Sequence, residues 1–258
     1  MNYRGDFVKY YDRIFAKKNY SREVEYVLEA YQKYSSSPLE TVLDFGCGTG
    51  THALYLSENK KLSVLGYDQS SDMIKVAKEK LNGCETCEFV NERSELIERL
   101  GKFDLAMSMF YVVNHLTTLK ELNNCLGAIS FCLKEGGVFV FDAWNGIAAI
   151  KDPPHSSTRE RYSEGNTKIK TKCIANTDLF KSEVVMKNYV EVYENKELVD
   201  KFNYDLKHSL WTPHILKELL NQYGFEILEI NKSYDINKRA NTNDYKLMFV
   251  CKHRGRGV

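Results

Sequence analysis

The strongest constraint on the fold of this chain is a run of three alternating glycines directly after a short apolar segment. Residues 41–45 read Thr-Val-Leu-Asp-Phe and are followed by Gly46, Gly48 and Gly50. Short apolar runs of this kind are typical of buried strands, and glycines let the backbone turn sharply and approach a ligand closely. Loops at the carboxyl ends of parallel strands form the ligand sites of open α/β sheets. The segment therefore predicts a ligand-binding turn at one edge of a parallel sheet.

The sequence around this segment alternates between strand and helix patterns. Apolar runs predict four further strands, at 62–68, 88–90, 103–109 and 138–141. Helical patterns lie between them, and the clearest follows Thr118, which forms a capping box with Glu121 ahead of an apolar stripe. Alternation at this spacing indicates a parallel sheet covered by helices on both faces.

Two parts of the chain depart from this alternation, and a third part resumes it. Two helices are predicted before the first strand, with Ser21 capping the second. The stretch 155–208 carries strand-like runs with a hairpin turn at 194–197, which predicts an antiparallel insert. The α/β pattern resumes at Thr212, a capped helix start. We expect a single domain on residues 1–258, with a helical lid at 1–37, a core at 38–145, the insert at 146–210 and a C-terminal helix with two strands at 211–258.

Composition limits the partners of such a domain. The 258 residues include 36 Lys and Arg against 35 Asp and Glu, for a formal net charge of +1. This balance argues against a nucleic-acid partner, since phosphate contacts need clustered basic residues. No apolar run approaches the ~20 residues that span a bilayer, and no signal-peptide core follows the first residues. The seven cysteines are odd in number and irregularly spaced, so a reduced cytoplasm is the expected location.

Residues that flank the glycines narrow the choice of ligand. Asp68 ends the second strand, where a carboxylate can accept hydrogen bonds from both hydroxyls of a ribose. A dinucleotide loop has its third glycine one residue later than Gly50, and Asp44 in the strand end is unfavourable beside a pyrophosphate. The lysine of a phosphate-cradling P-loop is absent. The loop instead favours a nucleotide-like ligand that carries positive charge.

Residues 43–50, Leu-Asp-Phe-Gly-Cys-Gly-Thr-Gly, and residues 66–68, Gly-Tyr-Asp, resemble the first two motifs of class I S-adenosylmethionine-dependent methyltransferases. Downstream segments at 103–109 and 133–137 resemble later landmarks of the same family, and Asn91-Glu92 stands where the family usually shows Gly-Asp. The resemblance implies a Rossmann-like α/β fold with sheet order 3-2-1-4-5-7-6, strand seven antiparallel, and S-adenosylmethionine as cofactor. It also implies that Glu92 faces the adenine amino group. The full set of implied cofactor contacts is Asp44, Gly46, Cys47, Gly48, Gly50, Asp68, Gln69, Met73, Glu92 and Met109.

Short motifs along the chain give a closer likeness. Those at 10–12, 19–20, 50–52 and 114–116 resemble motifs of small-molecule N-methyltransferases that dimethylate nucleotide-linked amino sugars, as do the insert and Trp144. The resemblance implies an enzyme that methylates a small-molecule amine. Three alternatives stay open. They are transfer to an oxygen, another amine or tRNA; a non-catalytic module that binds S-adenosylmethionine; and a nicotinamide oxidoreductase, which the early third glycine disfavours.

Residues of the lid and of the loops after strands four and five are candidates for the acceptor side of the site. Histidine titrates near neutral pH, so His115 is predicted to take or relay a proton from the acceptor, with Tyr11 as a second catalytic residue. Tyr20, Phe110 and Trp144 are predicted to contact the substrate. For each of these five residues, packing or helix orientation is the alternative role.

No metal is expected in this chain. Cys84 and Cys87 have metal-like spacing, but no second Cys or His pair lies at a fitting interval, and a structural zinc needs four ligands. The predicted partner is a small-molecule methyl acceptor, without nucleic acid or membrane, and the subgroup likeness leaves a homodimer open.

Overall fold

A computed structural model describes residues 4–58 and 61–255 of the chain. The strands of this part form a central sheet of seven and a second sheet of four. In chain order the strands are β1 (Thr41–Phe45), β2 (Ser63–Tyr67), β3 (Cys87–Val90), β4 (Phe103–Ser108), β5 (Leu133–Trp144), β6 (Ser157–Glu164), β7 (Thr167–Asp178), β8 (Glu183–Glu194), β9 (Glu197–Ser209), β10 (Phe225–Lys232) and β11 (Lys246–His253).

The order of the central sheet is β10-β11-β5-β4-β1-β2-β3. β1 pairs in parallel with β2 and β4, whereas β11 pairs antiparallel with β5 and with β10. The predicted order 3-2-1-4-5-7-6 is therefore confirmed, with β10 and β11 as strands six and seven. This order brings the carboxyl ends of β1, β2 and β4 together at the edge where open α/β sheets bind ligands.

Helices cover both faces of the central sheet. They are α1 (Asp6–Ile14), α2 (Tyr20–Tyr34), α3 (Thr51–Ser57), α4 (Ser71–Lys80), α5 (Arg93–Ile97), α6 (Val112–His115), α7 (Leu119–Cys132), α8 (Gly146–Lys151) and α9 (Pro213–Gln222). Successive strand residues point to opposite faces, so Val138 and Val140 join the core under α2, α3 and α4. Phe139 and Phe141 join the core under α5, α7 and α9.

Of the two helix caps predicted at Thr118 and Ser21, the structure confirms the first and contradicts the second. The capping box of Thr118 is confirmed at the start of α7. The prediction that Ser21 caps the second helix is wrong, because α2 begins at Tyr20 and the Asn19 side chain accepts the Arg22 N–H at 3.0 Å. Asn and Ser are equally good caps. Tyr20 is therefore the first residue of α2. Its ring packs against that of His52 on α3, with the ring centres 5.0 Å apart.

The predicted insert is a four-stranded antiparallel sheet in the order β6-β7-β8-β9. The turn predicted at 194–197 joins β8 to β9, with Asn195 and Lys196 at φ values of 51° and 72°, as a two-residue hairpin loop requires. Helix α1 packs on this sheet, since the rings of Phe7 and Tyr204 stack with their centres 3.9 Å apart. The first helix and the insert therefore form one packed unit beside the central sheet.

The structure also bears on redox state and membranes. All seven cysteines are free thiols. Within 4–58 and 61–255, no helix has both the length and the apolar character needed to cross a bilayer.

A buried hydrogen bond between α2 and β10 gives a first prediction. Tyr26 is fully buried, and its hydroxyl donates to Oδ1 of Asn231 at 2.7 Å. Tyr26→Phe should lower the free energy of unfolding by about 1–3 kcal/mol, because it leaves a buried carbonyl without its donor. Urea unfolding measures the change. The same substitution at Tyr189, which is 42% exposed, is the control and should change stability by less than about 0.5 kcal/mol. Equal effects of the two variants would contradict the prediction.

Candidate active site

A cleft of about 1160 Å³ opens at the carboxyl ends of β1, β2 and β4. Loop residues after these strands form one side, and residues of α1 and β9 face them from the other. Small-molecule pockets usually measure ~300–1,000 Å³. The cleft therefore has room for a nucleotide-sized ligand and a second small molecule.

The glycine loop after β1 depends on backbone conformations that other residues rarely adopt. Gly46, Gly48 and Gly50 have φ values of 84°, 54° and 75°. A Cβ at Gly46 would lie 2.5 Å from Cγ2 of Val112, so this position has no room for a side chain. At Gly48 the nearest atom to such a Cβ is the Tyr11 hydroxyl oxygen, 4.0 Å away. Bare backbone at Gly48 therefore faces the cleft, with Tyr11 over it.

Asp68 holds this loop to the end of β2. Its Oδ2 accepts the Gly48 N–H at 3.0 Å, and its Oδ1 accepts the Ser70 N–H at 2.9 Å. A carboxylate has about four acceptor positions, so about two are left for a ligand's hydroxyls. Burial raises the pKa of Asp68, while these two backbone hydrogen bonds lower it.

Asp44 lies at the end of β1, beneath the loop. It is fully buried, and neither carboxylate oxygen has a hydrogen-bond partner among the residues that the structure describes. Burial and the nearby Asp68 charge raise the pKa of Asp44 to about 7. Asp44 itself does not line the cleft. Buried polar groups nearly always have a partner, so this carboxyl group is a candidate for a donor or a positive charge that a bound ligand brings.

The other predicted cofactor residues fall into two groups. Cys47, Gln69, Met73 and Met109 line the cleft, as do Gly46, Gly48 and Asp68. Gly50 precedes α3 as its N-terminal cap and does not line the cleft. Glu92 is exposed at the start of α5, where its N–H donates to the Glu95 carboxylate at 3.0 Å, and its neighbour Arg93 lines the cleft instead. The contact of Glu92 with adenine stays a prediction.

Four of the five residues predicted for the acceptor side line the cleft: Tyr11, Tyr20, Phe110 and His115. The hydroxyl of Tyr20 is buried without a hydrogen-bond partner in the described part of the chain. Trp144 does not line the cleft. Its ring packs against that of His208, with the centres 4.3 Å apart and the planes at 88°.

His115 sits at the end of α6 beside a second imidazole that the sequence did not single out. Its Nε2 lies 3.3 Å from Nε2 of His208 on β9. Burial lowers the pKa of His115 to about 4, although a hydrogen bond with the Lys207 backbone works in the opposite direction. His115 is therefore neutral near pH 7, the form that can accept a proton.

A buried charged cluster joins the lid helix α2 to α3, the helix that follows the glycine loop. The only sequence signal for it was His52 in the 50–52 motif. Glu23 on α2 is 1% exposed, accepts a hydrogen bond from Tyr234 at 2.5 Å and contacts Nε2 of His52 at 2.8 Å. The Lys18 ammonium pairs with the same carboxylate and lies 3.9 Å from the centre of the Tyr20 ring. Burial would raise the pKa of Glu23, but His52 and Lys18 lower it to about 2.

The turn after β4 has a backbone conformation that the sequence did not indicate. Phe110 and Tyr111 have φ values of 71° and 63°, which for bulky residues costs about 1–3 kcal/mol each. The Tyr111 N–H donates to Oδ1 of buried Asp142 at 2.6 Å, which holds the turn. The turn directs the Phe110 ring to the cleft.

The fold and this cleft define the class of the molecule: a Rossmann-like α/β domain of the class I methyltransferase fold. Residues 42–137 match a protein-family model described as a methyltransferase domain. The chain thus carries a methyltransferase domain, as the sequence predicted. S-adenosylmethionine is the methyl donor of this class, in agreement with the predicted cofactor.

Curated proteins that are similar to this chain match only part of it. A dTDP-3-amino-3,6-dideoxy-alpha-D-glucopyranose N,N-dimethyltransferase of Streptomyces fradiae is 28% identical over 145 residues, 55% of this chain and 55% of that protein. The chain thus spans about half the length of the curated relatives it matches.

Solved structures cover nearly the whole chain. A S-adenosylmethionine-dependent methyltransferase from Clostridium acetobutylicum ATCC 824 superposes with a TM-score of 0.78 at 20% identity, over 97% of this chain and 98% of that one. CalS10, an amino pentose methyltransferase from Micromonospora echinaspora, gives 0.74 at 18% identity, over 98% and 99%. These likenesses establish the fold, including the insert and the lid helices.

The cluster around Glu23 predicts a pH dependence of stability. Its pKa is lowered in the folded protein from 4.5 to about 2, so its charged form stabilises the fold by up to about 3 kcal/mol. This contribution is full above about pH 5 and is lost as the pH falls toward 2. Glu23→Gln should therefore destabilise the protein at neutral pH, and the difference in unfolding free energy should shrink on acidification. Urea unfolding at about pH 7, 5 and 3 measures it.

The control for this measurement is Glu25→Gln, since the Glu25 side chain is 56% exposed. Its effect should be small at every pH. A destabilisation by Glu23→Gln that stays constant between about pH 7 and 3 would contradict the account of the cluster.

Proposed function

We propose that this chain is an enzyme that transfers a methyl group from S-adenosylmethionine to a small-molecule amine. The observation that carries the proposal is the Asp44 carboxyl group at the base of the glycine loop, which is fully buried, lies behind the cleft lining and has no donor among the described residues. S-adenosylmethionine is cationic at its sulfonium and at its amino group, so it is favoured beside such a carboxylate.

The cleft residues fit this cofactor. Asp68 has acceptor positions left for the two ribose hydroxyls, and Gly48 leaves the backbone bare for close approach. Met73 and Met109 add apolar surface.

The protein contributes mainly position and the exclusion of water. The bound sulfonium supplies a methyl group by in-line displacement. His115, on the cleft wall, accepts the proton that the acceptor nitrogen loses. Tyr11 and Tyr20 orient the acceptor through their hydroxyls, and Phe110 packs against it. Trp144 acts on this side through His208 rather than by contact with the acceptor.

An amine on a sugar nucleotide is the acceptor we propose. The relative from Streptomyces fradiae is named for a dTDP-linked amino sugar. On the insert, β9 presents Asn203, Asp205 and Lys207 to the cleft at alternate positions, which suits a ligand with many hydroxyls. A small-molecule oxygen acceptor is the second candidate, because His115 could serve it in the same way. The balanced charge of the chain disfavours tRNA.

The chain acts as one domain on residues 1–258 in a reducing compartment such as the cytoplasm, in line with its seven free thiols. It has no nucleic-acid or membrane partner. A homodimer stays a prediction of the subgroup likeness.

Titration calorimetry with S-adenosylhomocysteine and with NAD tests the cofactor. We expect heat of binding from the first only. Asp68→Ala should weaken binding at least about tenfold, because the ribose loses its charged acceptor and the loop loses its Gly48 hydrogen bond. Asp152→Ala is the matched control, since that side chain is 79% exposed. Binding of NAD without S-adenosylhomocysteine would contradict the proposal.

Replacing His115, the proposed base, should change turnover without changing the affinity for the cofactor product. His115→Gln should lower turnover about 100-fold or more and leave the affinity for S-adenosylhomocysteine within about twofold, because the residue faces the acceptor side. Steady-state rates and calorimetry measure the two effects. His214→Gln, at an exposed position on α9, should change neither. Unchanged turnover in His115→Gln would limit this histidine to a packing role.

A further inference from the structure

Two half-buried thiols, Cys84 and Cys87, lie on the segment that joins α4 to β3. Neither lines the cleft, and the proposed methyl transfer uses neither. Within 4–58 and 61–255, no group of three or more His, Cys, Asp or Glu side chains could hold a metal ion. The two thiols are therefore a pair outside the active site and without a metal site around them.

The turn between the two residues brings them within the span of a disulfide. Glu85 and Thr86 form the turn, and the Cys87 N–H donates to the Cys84 carbonyl at 3.4 Å. Residues at the two ends of such a turn have Cα atoms less than ~7 Å apart, and disulfides join Cα atoms that are ~4.4–6.8 Å apart. The pair can therefore close a disulfide with little movement of the backbone.

The surroundings make the two thiols unequal. The Sγ atom of Cys84 lies 3.5 Å from the hydroxyl oxygen of Thr86, whereas Cys87 donates its S–H to the Ala53 carbonyl of α3 at 3.9 Å. Burial raises the pKa of Cys84, but hydrogen bonds with Thr86 and Cys87 outweigh it and lower that pKa. Burial and the hydrogen bond with Cys84 raise the pKa of Cys87 to about 12. Cys84 is thus the thiol that more readily becomes a thiolate, which is the nucleophilic form.

The remaining thiols differ from Cys84 in their surroundings. All seven cysteines lie in the described part of the chain, and only the Cys84 thiol has a lowered pKa. Burial raises the pKa of the other five, which are Cys47, Cys125, Cys132, Cys173 and Cys251. Reactivity of cysteine follows thiolate character and exposure, so both features single out Cys84.

We propose that Cys84 and Cys87 form a reversible dithiol site that exchanges with a small-molecule disulfide such as glutathione disulfide. The Cys84 thiolate attacks one sulfur of that disulfide, which forms a mixed disulfide and releases one glutathione thiolate. Cys87 then gives its proton to solvent and attacks the Cys84 sulfur, which closes the bond between them and releases the second glutathione thiolate. The two protein thiols are oxidised and the external disulfide is reduced to two thiols. In a reducing compartment such a bond is transient.

Mass spectrometry after incubation with glutathione disulfide tests the pair. Both thiols lie on the tryptic fragment 81–93. We expect this fragment to lose two hydrogen atoms as the disulfide closes, and dithiothreitol to restore them. Cys173→Ser, at a half-buried thiol on β7, is the control and should leave the bond unchanged. Absence of the bond at every ratio of glutathione disulfide to glutathione would overturn the inference. The result does not depend on methyl transfer, so the proposed function stands or falls separately.

Single substitutions test which thiol attacks. Cys87→Ser keeps a hydroxyl beside Cys84 but cannot resolve the mixed disulfide, so glutathione should accumulate on Cys84. Cys84→Ser lacks the attacking thiol, and position 87 should take up glutathione at least about tenfold more slowly. The mass of fragment 81–93 after timed incubation measures both rates. Equal rates, or faster uptake at Cys87, would overturn the assigned order of attack.

The hydroxyl beside Cys84 is tested by alkylation with iodoacetamide near neutral pH. Thr86→Val removes this hydroxyl at nearly constant size, and alkylation of Cys84 should slow about threefold or more, because the thiolate loses a hydrogen-bond donor. Thr86→Ser keeps the hydroxyl, and its rate should stay within about twofold of that of the unmodified protein. Equal rates in the two variants would contradict the role of the hydroxyl in activating Cys84.

Discussion

The hydrogen bond from the Gly48 N–H to the Asp68 carboxylate, at 3.0 Å, sets the geometry on which the cleft depends. It joins the loop after β1 to the end of β2 and holds Gly48, which has a left-handed φ of 54°, in place. Both strands are almost wholly buried and pair in parallel along their whole length, so their ends cannot shift to suit another loop. The Gly48 backbone is therefore open toward the cleft, and the buried Asp44 carboxyl group lies at the base of the same loop.

Buried polar contacts hold the rest of the site against this loop. Lys18 and Glu23 of the lid meet His52 of α3, and Asp142 of β5 holds the strained turn at Tyr111. Buried ion pairs add little net stability, because desolvation offsets much of the attraction, yet the loss of one partner is costly. We infer that these contacts fix where the lid and the aromatic side chains lie, which in-line methyl transfer requires.

The sequence predicted those features that follow from local pattern. The alternating strands, the glycine loop and the Thr118 cap depend on neighbouring residues, and the sheet order came from the family resemblance. The contacts that join distant segments had no such signal: Glu23 meets Tyr234 across 211 positions, and Asn114 meets Ser209 across 95. The left-handed turn after β4 was missed for the same reason, because its cause is a carboxylate from another strand.

The most direct test of the account is a methyl-transfer assay with S-adenosylmethionine labelled in its methyl group. The unmodified protein would be incubated with a panel of small-molecule acceptors that includes amino-sugar nucleotides, matched hydroxyl analogues and tRNA. We expect label on an amine of one small acceptor, with one S-adenosylhomocysteine formed for each methyl group transferred. Binding of S-adenosylhomocysteine without transfer to any acceptor would contradict the account and leave a non-catalytic binding module.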